Sequence, residues 1–524
     1  MDHSHRLLLF LLGSLFSCNV APQPVGARRA TDAPVTAEEP ALRGEDLFAE
    51  HCTVCHGARG RGDGQAAPHL FPPARRFDAG RFRLVSSENG APADADLVAT
   101  LRRGIPGSAM PGFSWLPEAD LAALAAHVRV LAEEGLALGL AERARSEGTP
   151  MPPAEARRLA RERLTPDRPI VPVAEAAADV ATLEQGRRVY VERCAQCHAT
   201  DGTGERSPRY DEDGTLNWAR DLTAGFLKGD ASTRALACRI RGGIPGTAMP
   251  PNRIAPADEA ALIVFVQSLI PPGVADRLVH VRSTLSAHKV AAVPRDPDDP
   301  AWTRAASIDV RLSPLWWNEE AVLAATLSAL HDEDELALRL TWADSTGVVR
   351  LFTDTRATDA AALQFSASAR PALFGMGAPH EPTNLWHWQA LRMEDMAGAL
   401  DLLDPVAHTG PPGKPGEVRA DVPLYSRLLG RLEPSERADR IVVRGIDSVS
   451  GADRVPDEVH ADAHWQDGRW SVVFRRALRP ARAGLVAFVP ESPVQVACAV
   501  WNGSAGDEGA KKSISIWQEL VLER

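Results

Sequence analysis

Two copies of a C-x-x-C-H motif contain the residues of this chain whose types and spacing point most directly to chemistry. They are Cys52, Cys55 and His56 in the first copy, and Cys194, Cys197 and His198 in the second. Two thiols separated by two residues can each add to a vinyl group of one haem, and the adjacent histidine is then held beneath the iron. Each motif therefore predicts one covalently attached haem c.

A zinc knuckle, a redox-active dithiol and a disulfide are the alternative interpretations of the same motif. A zinc site needs a second Cys or His pair in each domain, and a thioredoxin-like dithiol needs a βαβ unit. Here each motif follows a single helical segment, and the alternatives lack their requirements in both copies. We therefore expect haem c at both motifs.

The two motifs belong to an internal repeat. A glycine and an aromatic residue precede each motif at the same spacing, Gly44 and Phe48 in the first copy, Gly186 and Tyr190 in the second. Downstream, residues 104–111 read GIPGSAMP and residues 243–250 read GIPGTAMP. A repeat on this scale predicts two copies of one domain.

The methionine of each repeated octapeptide, Met110 or Met249, is the candidate for the sixth iron ligand. Each lies in a Gly/Pro-rich loop that can bring a thioether to the haem face opposite the histidine. The alternative is that a methionine before a proline only fills core space. His69 is a weaker candidate, since the second copy has no counterpart to it.

Helical segments must position these residues. Each copy closes with an apolar stripe at helical spacing, which includes Leu121 and Leu124 in the first copy and Leu262 and Val266 in the second. We expect domains at residues 41–136 and 182–273. Residues 137–181, rich in Ala, Arg, Glu and Pro, predict a charged helical linker between them.

The carboxy-terminal part of the chain has a different pattern. From residue 290 to residue 524, short alternating segments are separated by Gly, Pro and Asp, which is typical of a β-sandwich. This part contains no C-x-x-C-H motif, so any haem there must be held non-covalently. The predicted fold class is multidomain, with two small all-α domains followed by a β-sandwich.

The amino terminus predicts export. Residues 1–18 contain a basic start and an apolar run that is too short to span a membrane, as in a signal peptide. The segment LFSC, which ends at Cys18, approximates a lipobox, so that residues 19–40 would form a tether behind a lipid on Cys18. An ordinary cleaved signal with a chance cysteine is the alternative. Either interpretation predicts a periplasmic or exported protein.

Composition and charge describe an ordinary globular chain. It has 524 residues, 44% hydrophobic and 24% charged, and a formal net charge of −11. Phosphate binding requires clustered Lys and Arg, and the sequence has no such cluster, so nucleic acid is not an expected partner.

The spacing Gly44-x3-Phe48-x3-Cys52-x2-Cys55-His56, followed by an Ala-Met-Pro loop and a closing helix, resembles class I cytochrome c. The resemblance covers two segments of about ninety residues each. It implies the small all-α cytochrome c fold with a His/Met axial pair, which raises the reduction potential. Because both axial positions are then filled, electron transfer is favoured over catalysis at the iron.

Three carboxy-terminal segments resemble the haem-b-binding gamma subunit of ethylbenzene dehydrogenase and related molybdenum enzymes. They are DPDDPAW at residues 296–302, FGMG leading to NLWHW at residues 374–388, and the segment from residue 500 through the lysine pair into the last strand. The resemblance implies a b haem with Met376 and Lys512 as axial ligands. A lysine ligand must be neutral, which requires a desolvated site. Alternatively, Lys511 and Lys512 are surface charges and Met376 fills core space. His380 and His387 are the substitute ligands.

These observations predict a multihaem electron-transfer protein rather than an enzyme. It would carry two haem c and one haem b and would serve a redox partner protein, such as a respiratory or molybdenum-type oxidoreductase complex. The alternatives are a di-haem peroxidase, which needs one open iron, and a di-haem cytochrome whose β-sandwich is a haem-free interaction domain.

Overall fold

The structure is a computed structural model of the chain. It describes residues 40–204, 208–225, 227–274, 278–346, 358–368, 371, 383–390, 437–443, 454–480, 485–490 and 492–524. Residues 39–524 form one compact unit. The predicted signal and tether, Met376 and His380 lie outside the described residues.

Helices make up the first half of the described chain. They are α1 (Pro40–His51), α2 (Thr53–His56), α3 (Asp94–Arg103), α4 (Glu118–Ser146), α5 (Pro153–Leu164), α6 (Val180–Arg193), α7 (Ala195–His198), α8 (Thr233–Gly242) and α9 (Pro256–Ser268). A two-stranded antiparallel ladder, β1 (Arg209–Tyr210) with β2 (Leu216–Asn217), precedes α8.

A close helix crossing organises each repeat. α1 packs on α4 in the first copy, and α6 packs on α9 in the second. Gly44 and Gly186 lie at the two crossings, where a Cβ atom would overlap the carbonyl oxygen of Ala123 or of Ala261. Only glycine allows this approach. The aromatic residue that follows each glycine is buried in the same core, Phe48 at 2% exposure and Tyr190 at 0%.

The segment predicted as a linker packs on the first repeat. α4 continues past residue 136, and α5 turns back along it, with Ala156 and Ala160 buried against Ala137. Arg161 and Glu133 form an ion pair of 2.7 Å across the two helices. The charged surface of α5 therefore faces solvent, while its alanine stripe is buried.

The carboxy-terminal half of the described chain is a β domain. Its strands are β3 (Thr284–Lys289), β4 (Ala306–Pro314), β5 (Ala324–His331), β6 (Glu335–Ala343), β7 (Ala360–Ser366), β8 (Thr383–Gln389), β9 (Arg437–Val443), β10 (Arg454–Gln466), β11 (Arg469–Ala477), β12 (Val494–Trp501), β13 (Ser513–Ser515) and β14 (Gln518–Leu522).

These strands pair in one sheet, in the order β13-β4-β5-β3-β14-β12-β7-β8-β9-β10-β11-β6. Because β6 also pairs with β5, the described part of the sheet returns on itself. Trp342, Trp388 and Trp470 are 0–1% exposed and pack together inside it. The helical and β-rich halves agree with the predicted multidomain layout, and the two-layer sandwich stays a prediction.

The last predicted strand is divided in the structure. The alternating pattern of residues 514–522 predicts one strand, but Ile516 and Trp517 separate β13 from β14. β13 pairs with β4 and β12, whereas β14 pairs with β3 and β12. The break lets one segment contact two different neighbouring strands.

Within the described residues, none of the helices combines the length and the apolar character that a membrane crossing requires.

Candidate haem sites

A single helical turn presents each C-x-x-C-H motif. In the first copy α1 ends before Cys52, and the amide of His56 donates to the carbonyl oxygen of Cys52 at 2.9 Å. In the second copy the amide of His198 donates to the carbonyl oxygen of Cys194 at 3.0 Å. The turn brings both thiols and the imidazole of a motif to one wall of a cleft.

Burial disfavours the thiolate form of Cys52, Cys55 and Cys194. Cys52 and Cys55 are buried and free, and burial raises the pKa of each to about 12. Burial also raises the pKa of Cys194 to about 11. A redox-active dithiol requires a readily formed thiolate, so the raised pKa values argue against that alternative. A zinc ion would itself lower the pKa of a bound thiol, but the described residues contain no group of three metal-ligating side chains that could hold one. Thioether formation leaves no charge on sulfur and is compatible with burial.

Each motif histidine has one nitrogen fixed by a backbone carbonyl. Nδ1 of His56 lies 2.9 Å from the carbonyl oxygen of Arg75, and Nδ1 of His198 lies 3.1 Å from that of Arg220. Because a carbonyl can only accept, Nδ1 must carry the proton, which leaves the Nε2 lone pair for a metal. Burial lowers the pKa of both histidines and so favours the neutral ligand form.

The two methionine loops have the same internal hydrogen bonds. The amide of Met110 is 3.3 Å from Oγ of Ser108, and the amide of Ile105 donates to the carbonyl of Met110 at 3.0 Å. The second loop repeats this pattern with Thr247, Met249 and Ile244. The conformation around each methionine is therefore defined by the octapeptide itself.

A glycine makes each loop possible. Gly104 and Gly243 have φ values of 72° and 64°, in the left-handed region that strongly favours glycine. A Cβ atom at either position would also meet the backbone of its own loop. These glycines end the preceding helices and start the loops that lead to Met110 and Met249.

Each cleft combines the predicted ligands of one copy. The first is lined by Cys52, Cys55, His56 and Met110, and it contains about 1360 Å³ of empty space including its mouth. The second is lined by Cys194, Cys197, His198 and Met249, with about 1450 Å³. Both linings are mainly apolar. Two thiols and an imidazole on one wall, with a thioether also in the lining, suit a haem c.

The remaining lining residues distinguish the alternatives. Phe77 stacks on His56 with ring centroids 4.7 Å apart, which holds the imidazole plane. Leu70 lines the first cleft, whereas its neighbour His69 is not among the described residues of that lining. The geometry therefore favours Met110 over His69 as the partner of His56.

The predicted site in the β domain is described only in part. Nζ of Lys512 lies 4.9 Å from the ring centroid of Trp501. The ring of His387 packs edge-on against the same indole, with ring centroids 5.3 Å apart. Burial lowers the pKa of Lys512 to about 8. Lys511 instead lies over Trp316 at 5.3 Å. Both lysines are half-buried, and at Lys512 burial shifts the pKa in the direction that a neutral amine ligand needs.

Sequence reasoning missed a junction where all three domains meet. The amide of Phe71, beside the first cleft, donates to the carbonyl oxygen of Leu315 at 2.9 Å. The amide of Leu315 in turn donates to the carbonyl oxygen of Lys512 at 2.8 Å. The Phe71 ring lies 5.9 Å from Trp218, a lining residue of the second cleft, and 5.3 Å from Trp316. These residues are far apart in sequence and carry no motif, so no local pattern could reveal them.

Comparison with known families matches three regions of the chain. Residues 41–132 and 183–269 match the cytochrome c family. Residues 435–513 match the ethylbenzene dehydrogenase family.

The individual proteins that resemble this chain share low sequence identity with it. A Haloferax mediterranei protein described as a respiratory nitrate reductase haem subunit is 24% identical over 231 residues, which is 43% of this chain and 67% of that protein. The reducing HAO-like protein complex of Kuenenia stuttgartiensis has a chain with 22% identity and a TM-score of 0.36, covering 44% of this chain and 96% of that one. A family 9 carbohydrate-binding module from Caldicellulosiruptor kristjanssonii has 8% identity and a TM-score of 0.26, covering 46% and 94%.

The family matches coincide with the two C-x-x-C-H clefts and with the strands that lead to Lys512. The chain therefore contains two cytochrome c domains followed by a region of the ethylbenzene dehydrogenase family.

Proposed function

We propose that this chain is an exported electron-transfer subunit that carries two covalent c haems and one non-covalent b haem. The observation that carries the proposal is that each C-x-x-C-H motif shares an apolar cleft with the methionine of its own repeat. When bound, a haem supplies a one-electron centre at its iron.

The residues of each cleft suit electron transfer better than catalysis. The carbonyls of Arg75 and Arg220 hold the two histidines in the tautomer that can bind iron through Nε2. Met110 and Met249 would fill the opposite positions, so that substrate has no free position on either iron. Apolar walls exclude water, and the rigid loops around the methionines reduce the rearrangement that accompanies a change of charge.

The b haem belongs to the third domain in this proposal, with Met376 and Lys512 as axial ligands. The desolvation of Lys512 supports the assignment, since a buried amine loses its proton more easily than an exposed one. The family match at residues 435–513 includes Lys512 and supports a haem-binding role for this domain. The junction at Phe71 and Trp316 would connect this site with the two c-haem clefts.

The proposed partner is the catalytic part of a respiratory or molybdenum-type oxidoreductase complex. The similarity to a protein described as a nitrate reductase haem subunit supports this class of partner. Export through residues 1–18 would place the chain in the periplasm, where haem c is attached and thiols are oxidised. A lipid on Cys18 would anchor it to a membrane.

A pyridine haemochrome assay on the purified full-length protein tests this proposal, since it counts haem c and haem b separately. We expect two c haems and one b haem per chain. Haem-dependent peroxidase staining after denaturing electrophoresis then checks covalent attachment. Replacing both Cys52 and Cys55 with Ala should remove one c haem, and replacing both Cys194 and Cys197 should remove the other.

A cysteine outside the clefts provides the control. Cys238 is buried in α8 and is not in either motif, so Cys238→Ala should leave both c haems in place. A protein that keeps its full staining after loss of both thiols of one motif would disprove covalent attachment there. Carbon monoxide binding to the reduced wild type at native pH would instead favour the di-haem peroxidase.

A further inference from the structure

A pair of cations lies between the two haem clefts. Of the described residues, Arg220 and Lys228 are the ones that line both clefts. Both belong to the second cytochrome c domain, yet both reach the first cleft. The two clefts therefore adjoin at these two side chains.

Further cations surround this pair. Arg75 and Arg83 line the first cleft and approach the second domain, where Arg83 pairs with Asp211 and Arg75 lies 3.9 Å from Asp213. Four cations are thus gathered near two carboxylates. The two carboxylates pair with Arg83 and Arg75 rather than with Arg220 or Lys228.

The guanidinium of Arg220 has more hydrogen-bond donors than acceptors around it. One of its nitrogens, Nη2, donates to the carbonyl of Gly107 at 3.3 Å, and its guanidinium lies 5.1 Å from the ring centroid of Trp317. Its other terminal nitrogen, Nη1, is buried without a hydrogen-bond partner among the described residues, as is Nε of Arg83. A buried cation with unfilled donors is costly unless an anion accepts from it.

Lys228 is in a similar position. Burial lowers its pKa to about 7, and repulsion from Arg83 and Arg220 contributes to the same change. Asp211, the carboxylate that acts in the opposite direction, already pairs with Arg83. Arg220 therefore has an unfilled donor, and nearby negative charge would favour the ammonium form of Lys228. Both residues line the two clefts, where an anion could supply that charge.

We propose that Arg220 and Lys228 form one anion site that binds the porphyrin carboxylates of both haems. The same two side chains then influence the reduction potentials of both haems. The inference rests on the proposed function, because it requires a haem in each cleft. A haem carries two carboxylates at one edge, and Arg and Lys are the side chains that bind carboxylates most strongly. A positive charge held near an iron favours its ferrous form.

Removal of the lysine charge tests the proposal. In Lys228→Met, a redox titration followed by the visible spectrum should find the ferric-to-ferrous equilibrium of both c haems moved toward ferric, by up to about tenfold, which is about 59 mV for a one-electron couple. Lys228→Arg should keep both potentials near the wild-type values. The potentials are assigned by repeating the titration in the protein that lacks Cys52 and Cys55.

Single-cleft cations give the matched controls. Arg193 and Arg209 line the second cleft and not the first, so Arg193→Met and Arg209→Met should each shift mainly the potential of the second haem. If Lys228→Met does not fold, Arg220→Gln must shift both potentials in the same direction. A shift confined to one haem, or no shift, overturns the shared site while leaving the proposed function intact. A wild type without c haem overturns the proposed function itself.

Discussion

Gly44 packs directly against the main-chain carbonyl of Ala123, so that a Cβ atom at Gly44 would overlap the carbonyl oxygen. This contact sets the distance between α1 and α4, and with it the position of the C-x-x-C-H turn that follows α1. Gly44→Ala should therefore separate the helices and destabilise the first domain by about 1–3 kcal/mol, as overpacked cores do. Chemical denaturation followed by circular dichroism measures the change.

Gly139 is the matched control for this substitution. It lies in the exposed part of α4, and a Cβ atom there would meet nothing within 4 Å. Gly139→Ala should stabilise the helix by about 1 kcal/mol, since alanine is a better helix former than glycine. Equal effects of the two substitutions would mean that the contact with Ala123 does not limit the packing.

Met110 and Met249 are expected to act as axial ligands in their separate clefts. A thioether favours ferrous iron, so Met110→Ala should lower the potential of the first haem and Met249→Ala that of the second. Each change should also open one iron to carbon monoxide. Redox titration and carbon monoxide difference spectra of the purified proteins measure both effects.

Met151 provides a control for methionine replacement in general. It packs beside α5 against Ala137 and Ala156, away from both clefts. Met151→Ala should therefore leave both potentials and carbon monoxide binding unchanged. If the weak near-infrared band of a methionine-to-iron bond survives the double change at Met110 and Met249, another residue holds the sixth position.

Asp359 predicts a pH dependence of stability in the β domain. Burial, and then repulsion from Asp344, raises its pKa to about 7, while its carboxyl accepts from Trp470 at 3.1 Å and from the amide of Gly503 at 2.8 Å. The folded state therefore holds a proton that the unfolded chain loses near pH 4. This contribution to stability is fully present below pH 4 and is lost as the pH rises to about 7.

Asp359→Asn should remove that dependence. The amide cannot ionise, so the difference in unfolding free energy between wild type and variant should change by up to about 1.4 kcal/mol per pH unit between pH 4 and pH 7. Denaturation curves at several pH values give this difference directly. A constant difference across the range would contradict the raised pKa of Asp359.

Local patterns in the sequence predicted the candidate ligands that lie within a motif. The repeated C-x-x-C-H motifs and the octapeptides GIPGSAMP and GIPGTAMP predicted which residues line each cleft. Short-range spacing determines the local turns that these segments form. The family matches confirm the cytochrome c and ethylbenzene dehydrogenase resemblances. The choice of ligands stays a prediction, with Met376 outside the described residues.

Long-range contacts could not be predicted in the same way. The carbonyls of Arg75 and Arg220 that orient the histidines belong to loops without a recognisable motif. Lys228 reaches from the second domain into the first cleft, which depends on how the domains pack. The alternating pattern of residues 514–522 predicts one strand, since a local pattern cannot show that β13 pairs with β4 whereas β14 pairs with β3.

Lys512 gives the last prediction, which concerns the b haem. Its amine must be neutral to bind iron, and burial already lowers its pKa to about 8, so the cost of losing the proton near neutral pH is small. A proton competes with iron for the same lone pair. Acidification should therefore release the b haem before either c haem, whose thioether bonds do not depend on pH.

Lys512→Ala should remove the b haem or leave it five-coordinate, and Met376→Ala should do the same. Lys511, over Trp316, is the matched control, and Lys511→Ala should keep the full b-haem content. The pyridine haemochrome content of the three variants decides the question: an intact six-coordinate b haem in Lys512→Ala would transfer the role to another residue, and His387, which packs on the same Trp501, would be the first to replace.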